Sequence, residues 1–118
     1  TPSILAKDGK LVAVIGSPGG RTIINTVLQV MLNVIDGHMN IQQAVDAGRL
    51  HHQWLPDRVQ IEDGTVRDAT LQALRAMGYT VRVGGTQGSS NDIMVDPVTG
   101  ERLGAPDPRD ADAGAAGY

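Results

Sequence analysis

Leu11-Val12-Ala13-Val14-Ile15-Gly16-Ser17-Pro18-Gly19-Gly20 is the stretch that decides how this chain folds. An apolar, largely β-branched run ends in a glycine-rich turn, and a long apolar segment, Thr22 to Ile35, follows at once. That succession predicts strand, tight turn, helix. Such a turn sets several backbone N–H groups at a helix N-terminus, where the helix dipole favours negative charge. A phosphate, a carboxylate or the oxyanion of an acyl-transfer intermediate would each suit it. The turn alone does not choose among them.

Upstream, Ser3 to Leu5, Lys7-Asp8-Gly9-Lys10 and Leu11 to Ile15 read as a β-hairpin. Asp8-Gly9 is its signal, because both central positions of a two-residue hairpin turn want positive φ. The second strand is apolar at every position from Leu11, which predicts burial on both faces. Downstream, a helix is predicted from Arg21 to about Asp36. Its polar residues, Thr22, Asn25, Thr26, Gln29, Asn33 and Asp36, fall on one stripe, and more than half of its circumference is apolar. A helix of that kind is expected between layers, with Gly37 as the residue that closes it.

The remainder supplies shorter elements. Asn40-Ile41-Gln42-Gln43 has the form of a capping box, predicting a helix from Ile41 to about Ala47 that stops at Gly48. Arg49 to Pro56 shows no period and is expected to be irregular. Arg58 to Glu62 alternates as a strand does. A helix follows with Leu71, Leu74 and Met77 on its apolar face, capped by Thr65 or Asp68 and closed by Gly78. Thr80 to Val83 is a short strand, and Gly84 to Asn91 a flexible or functional loop. Ile93-Met94-Val95 and Arg102-Leu103-Gly104 make a second hairpin around Asp96 to Gly100. The order β-β-α-α-β-α-β-β-β is a mixed α/β (α+β) class with hairpins at both ends, and it lacks the alternation of a doubly wound sheet. From Ala105 the chain is poor in core formers and is expected to run extended over a surface or disordered.

Composition narrows the functions. The chain has 118 residues, 41% of them hydrophobic, enough for one domain or part of one. It has no Phe, one Trp and two Tyr, so the core must be aliphatic. A net charge of −3 argues against a nucleic-acid partner. The absence of Cys removes thiol nucleophiles, disulfides and zinc–thiolate sites. No apolar run reaches the roughly 20 residues of a membrane span, and no signal peptide is visible. Thr1-Pro2-Ser3 is expected to be a cut inside a longer protein, so a targeting signal would lie upstream.

The glycine turn lacks the Gly-Lys-Ser/Thr of a Walker loop and the Gly-x-Gly-x-x-Gly fingerprint. Without more, it is a tight turn that needs small residues. An N-terminal Thr can act as a nucleophile with its own amine as base, but Pro2 stiffens the backbone beside Thr1. His51 and His52 are adjacent, so they point apart and chelate poorly, and His38 would reach them only through the fold. A packed or hydrogen-bonded pair beside Trp54 is the simpler expectation. Asp96, Asp107, Asp110 and Asp112 do not match a calcium loop and read as turn formers and a solvated tail. Ser17, Ser89 and Ser90 lack a nucleophile elbow.

Several stretches resemble, in order, the small subunit of the γ-glutamyltranspeptidases (glutathione hydrolases). They are Lys7-Asp8-Gly9-Lys10, Gly16-Ser17-Pro18-Gly19-Gly20, Arg49-Leu50-His51-His52-Gln53-Trp54-Leu55-Pro56-Asp57, Thr86-Gln87, Ile93-Met94-Val95, Gly104-Ala105-Pro106-Asp107-Pro108-Arg109 and Ala116-Gly117-Tyr118. The resemblance implies part of the four-layer α-β-β-α sandwich of an N-terminal-nucleophile hydrolase. Residues 1–104 would be the C-terminal part of the small subunit and 105–118 its extended tail.

It also implies an autoprocessed enzyme of glutathione metabolism that moves γ-glutamyl groups through an acyl-enzyme on an N-terminal Thr. Gly19 and Gly20 match the glycine pair whose backbone N–H groups form the oxyanion hole. The nucleophilic Thr in its Thr-Thr-His context and the Ser-Ser pair of the substrate site are absent, so Thr1 does not correspond to the nucleophile. The loop from Gly84 to Asn91 differs in length from the family's form.

The expected partners are the large subunit, the rest of the small subunit and a γ-glutamyl small molecule, with no nucleic acid, membrane span, cofactor or metal. This chain alone is expected to be inactive and to self-associate. The resemblance places the protein in the periplasm or outside the cell. The alternatives are an inactive structural fragment or paralogue, and a small anion- or nucleotide-binding module.

Overall fold

The structure, a computed structural model, describes residues 2–117; Thr1 and Tyr118, and the expectations that fall on them, lie outside it. The elements are β1 (Ser3–Lys7), β2 (Lys10–Ile15), a 3₁₀ turn (Gly20–Thr22), α1 (Ile23–Ile35), α2 (Ile41–Asp46), β3 (Leu50–His51), β4 (Val59–Ile61), α3 (Asp68–Ala76), β5 (Val81–Val83), β6 (Asp92–Val95) and β7 (Arg102–Ala105). This is the mixed α/β class predicted. Two compact units divide the chain: one runs to Ala47 and resumes at Gly88, the other spans Gly48–Gln87.

In the first unit the two predicted hairpins join into one antiparallel sheet of order β1-β2-β6-β7. Asp8 (φ 52°) and Gly9 (φ 74°) both have positive φ, as the hairpin turn requires. The seam between hairpins pairs Ala13 with Met94 and Val14 with Ile93. Ala13 and Ile15 on the inner face of β2 meet Val27, Val30 and Val34 of α1 and Ile41, Ala44 and Val45 of α2. The core is aliphatic, as composition demands. On the other face the cross-strand row Ile4, Val14 and Ile93 is only partly covered, and Ile4 is 72% exposed. Burial of β2 on both faces is therefore not found; only its inner face is closed.

Helix α1 departs from its prediction in three ways. It begins at Ile23, after the 3₁₀ turn, not at Arg21. Its polar stripe is not a solvent face: Thr26 is 1% exposed, and Asn33 Nδ2 donates to Ala44 O (3.2 Å). The open side is apolar instead, with Ile24, Leu28, Leu32 and Ile35 exposed at helical spacing. In this chain the helix is thus covered on one side, not between layers. Its left-handed closing residue is His38 (φ 52°) rather than Gly37. Gly37 is needed for space, since a Cβ there would stand 2.7 Å from Asn33 O. α2 carries the predicted capping box: Asn40 Oδ1 accepts from Gln43 N (2.9 Å), and Gln43 Oε1 accepts from Asn40 N (3.1 Å).

The second unit holds a three-stranded sheet of order β3-β4-β5, in which β3 is antiparallel and β5 parallel to β4. β3 falls in the segment expected to be irregular, and two residues are too few to show a period. Neither Thr65 nor Asp68 caps α3: the N-cap position is Arg67, without a side-chain bond, and Asp68 sits in the first turn. Gly78 (φ 95°) closes α3 as predicted, with Gly78 N bonded to Arg75 O and Tyr79 N to Leu74 O.

In the second hairpin turn, Asp96 Oδ1 accepts from Val98 N (2.7 Å) and Thr99 N (2.8 Å). The N–H of Thr99, then that of Val98, hold this carboxyl below its ordinary value of 3.8.

Candidate oxyanion-binding turn

The turn between β2 and α1 is held from outside at its first residue. Gly16 N donates to Asp92 Oδ1 (2.8 Å), and Asn91 N donates to Gly16 O (3.2 Å). Ser90 Oγ lies 2.8 Å from Asp92 Oδ2 and 3.1 Å from Gly16 O. Ser90 N donates to Asp107 Oδ2 (2.7 Å), and Asp107 Oδ1 accepts from Arg109 N (2.9 Å) and Arg109 Nη1 (3.1 Å). The same guanidinium donates to Val45 O (3.0 Å) and Ala47 O (2.9 Å) at the end of α2. There a cation meets the negative end of the helix dipole.

Asp92, Asp107 and Ser90 are all fully buried. Asp107 is accordingly no part of a solvated tail: its carboxylate needs the donors that Ser90 and Arg109 supply, and only burial brings them together. Sequence reasoning missed this cluster. The one available signal was that Asp107 and Arg109 stand in a run that carries the family resemblance.

Within the turn, Gly19 (φ 124°) and Gly20 (φ 61°) occupy backbone regions that side chains disfavour. Ser17 Oγ donates to Pro18 O (2.7 Å), and Thr22 Oγ1 donates to Gly19 O (3.0 Å). Gly88 (φ 64°) packs against the same atoms. A Cβ on Gly88 would stand 2.7 Å from Thr26 Oγ1 and 3.3 Å from Ser17 Oγ, and a Cβ on Gly19 would stand 3.3 Å from Gly88 Cα. Thr26 Oγ1 is buried with no hydrogen-bond partner. Neither the 3₁₀ turn nor the first turn of α1 carries an acidic residue, and the 3₁₀ turn contains Arg21. The local field at this turn therefore favours an anion.

The histidines stand apart from this. His51 is buried, with Nε2 2.8 Å from Gln53 Oε1. His52 Nε2 lies 3.2 Å from Asp57 Oδ1, and its ring meets Tyr79 edge-on at 6.1 Å. They are hydrogen-bonded as expected, but Trp54 is exposed and is not their packing partner. Among the described residues no three His, Asp or Glu side chains come together as a metal site.

Elsewhere in that unit, Glu62 accepts from Arg49 N (3.0 Å) and Gln87 N (2.6 Å), while Arg49 Nη1 donates to Gln87 O (2.9 Å). This buried bracket, also missed from sequence, fixes β3, β4 and the start of the loop after β5. Among the described residues no helix is long and apolar enough to cross a membrane.

Comparison with known proteins bears on the family and the fold. The model of the family described as Gamma-glutamyltranspeptidase matches residues 1–117. The glutathione hydrolase proenzyme of Escherichia coli K12 is 49% identical over 118 residues, covering 100% of this chain and 20% of that protein. A mutant γ-glutamyltranspeptidase from Helicobacter pylori superposes with a TM-score of 0.88 at 45% identity, covering 93% of this chain and 60% of that one. The γ-glutamyltranspeptidase of Pseudomonas nitroreducens complexed with L-DON gives a TM-score of 0.86 at 35% identity, covering 100% of this chain and 62% of that one. The chain thus spans about a fifth of the full length of the E. coli relative. With a family match over nearly every residue and the same fold as solved members, this chain belongs to the γ-glutamyltranspeptidase family.

Proposed function

We propose that this chain supplies the oxyanion-binding part of a γ-glutamyl transferase or hydrolase, with the N–H groups of Gly19 and Gly20 as the donors. Residues 1–104 are then the C-terminal part of the small subunit and 105–118 its tail. The attacking Thr belongs to sequence outside these 118 residues. That Thr adds to the γ-glutamyl carbonyl, the oxygen becomes an anion, and the amine leaves as the acyl-enzyme forms. Water or an amino group then takes the acyl group. Donors placed in advance where that charge develops count most in the transition state.

The observation that carries this reading is the positive-φ glycine pair at the head of α1, free of acidic neighbours in the first turn. The partners are the large subunit and the remainder of the small subunit, and the compartment is the periplasm or the cell exterior. The exposed apolar rows of α1 and the sheet support self-association of the chain in isolation.

Hydrolysis of γ-glutamyl-p-nitroanilide tests the reading. The intact protein turns the substrate over, Gly19→Ala lowers kcat, and these 118 residues alone give no turnover. Turnover by these residues alone, abolished by changing Thr1, overturns it. Light scattering on the isolated chain tests self-association, and a clean monomer refutes it.

A further inference from the structure

We infer that Ser17 and Thr22 are positioning residues that aim the two donor N–H groups of the turn, each by holding the carbonyl on the far side of the same peptide plane. This rests on the reading of Gly19 and Gly20 as oxyanion donors and deepens it. The N–H of Gly19 shares its peptide with the carbonyl of Pro18, and the N–H of Gly20 shares its peptide with the carbonyl of Gly19. A trans peptide is planar, with C=O and N–H directed oppositely, so fixing the oxygen fixes the direction of the hydrogen.

Both oxygens are fixed. Ser17 Oγ donates to Pro18 O at 2.7 Å, and Thr22 Oγ1 donates to Gly19 O at 3.0 Å. These hydroxyls are needed because glycine has no side chain to restrain its peptide, and two successive positive-φ glycines leave both planes free to rotate. Gly88 leaves room for the hydroxyls: the site of its missing Cβ is 3.3 Å from Ser17 Oγ, tighter than an ordinary contact, and 3.4 Å from Thr22 Oγ1. Ser17 is buried, so its hydroxyl is held close to Pro18 O. The donors therefore arrive preorganised, and the reaction does not have to reorient them.

The test uses the intact, matured enzyme with Ser17→Ala, Thr22→Val and Thr22→Ser. Each changes a single heavy atom of its side chain. Ser17→Ala and Thr22→Val should each lower kcat roughly tenfold, less than outright loss of a donor, with KM within about twofold of the parent. A boronic acid analogue of the γ-glutamyl group, whose boron takes up the nucleophile's oxygen to form a tetrahedral anion, should weaken by the same factor as kcat. Thr22→Ser keeps the hydroxyl and should recover most of the loss seen in Thr22→Val.

A fall in thermal midpoint with kcat and boronate affinity unchanged shows a structural role only and overturns the inference. So does a rise in KM alone. An intact parent without γ-glutamyl turnover overturns the donor reading and this inference with it, whereas an active parent with unaffected variants overturns this inference alone.

Discussion

The carboxylate of Asp92 accepts the backbone N–H of Gly16 at 2.8 Å, so the first residue of the glycine turn is pinned by a side chain 76 positions further along the chain. Asp92→Ala should leave Gly16 N without its acceptor, while Ser90 Oγ keeps Gly16 O at 3.1 Å. A buried group left unsatisfied costs about 1–3 kcal/mol. Urea denaturation should show a loss of that size, with amide shifts centred on Gly16 to Gly20. Unchanged stability would mean that Asp92 does not hold the turn.

Arg109 joins the segment after β7 to the end of α2 through Asp107, Val45 O and Ala47 O. Arg109→Ala removes the charged partner of the buried Asp107 carboxylate, which keeps the backbone N–H groups of Ser90 and residue 109, and should cost about 3 kcal/mol. Arg109→Lys should recover little, because an ammonium cannot reach two carbonyls and a carboxylate as a planar fork does. Denaturation midpoints of the two variants check this; full rescue by Lys would show that charge alone matters.

Gly88→Ala places a methyl group 2.7 Å from Thr26 Oγ1 at a φ of 64°. Strain at such a position is worth on the order of 1–3 kcal/mol. Thr26→Ala opens the space and should return part of the loss in the double variant. Strict additivity of the two single changes would show that the residues do not touch.

Asp96 titrates below 3.8 because the N–H groups of Thr99 and Val98 favour its charged form. Its contribution is therefore present above the unfolded value and is lost as pH falls through the folded one. The carboxyl carbon of Asp96 should show an NMR midpoint below 3.8. Asp96→Asn should lower stability slightly near neutral pH and leave it unchanged in strong acid. A midpoint at or above 3.8 would contradict the turn geometry.

What could be read from the sequence was whatever is decided within a few residues. Asp8-Gly9, the Asn40–Gln43 capping box and the strand–glycine–helix order all depend on local backbone preferences, and all three stand in the structure. The expectation that α1 lies between layers failed because its apolar row Ile24, Leu28, Leu32 and Ile35 is open, while Thr26 and Asn33 are covered by Gly88 and α2, which no periodicity announces. β3 was missed because it exists only by pairing with β4. The Asp92–Ser90–Asp107–Arg109 chain was invisible because each partner is supplied by a different element, and polar residues in a sequence read first as surface. At the candidate site, Gly19 and Gly20 were nameable from resemblance, while the hydroxyls that hold their peptides were not.

The four-stranded sheet also sets a timetable for folding. Each hairpin closes over a turn of a few residues, but the seam Ala13–Met94 and Val14–Ile93 joins opposite ends of the chain. Closing so long a loop costs entropy before any contact repays it. The hairpins should form early and the seam late, so substitutions in the Asp8-Gly9 turn should slow folding while those at Met94 should mainly speed unfolding.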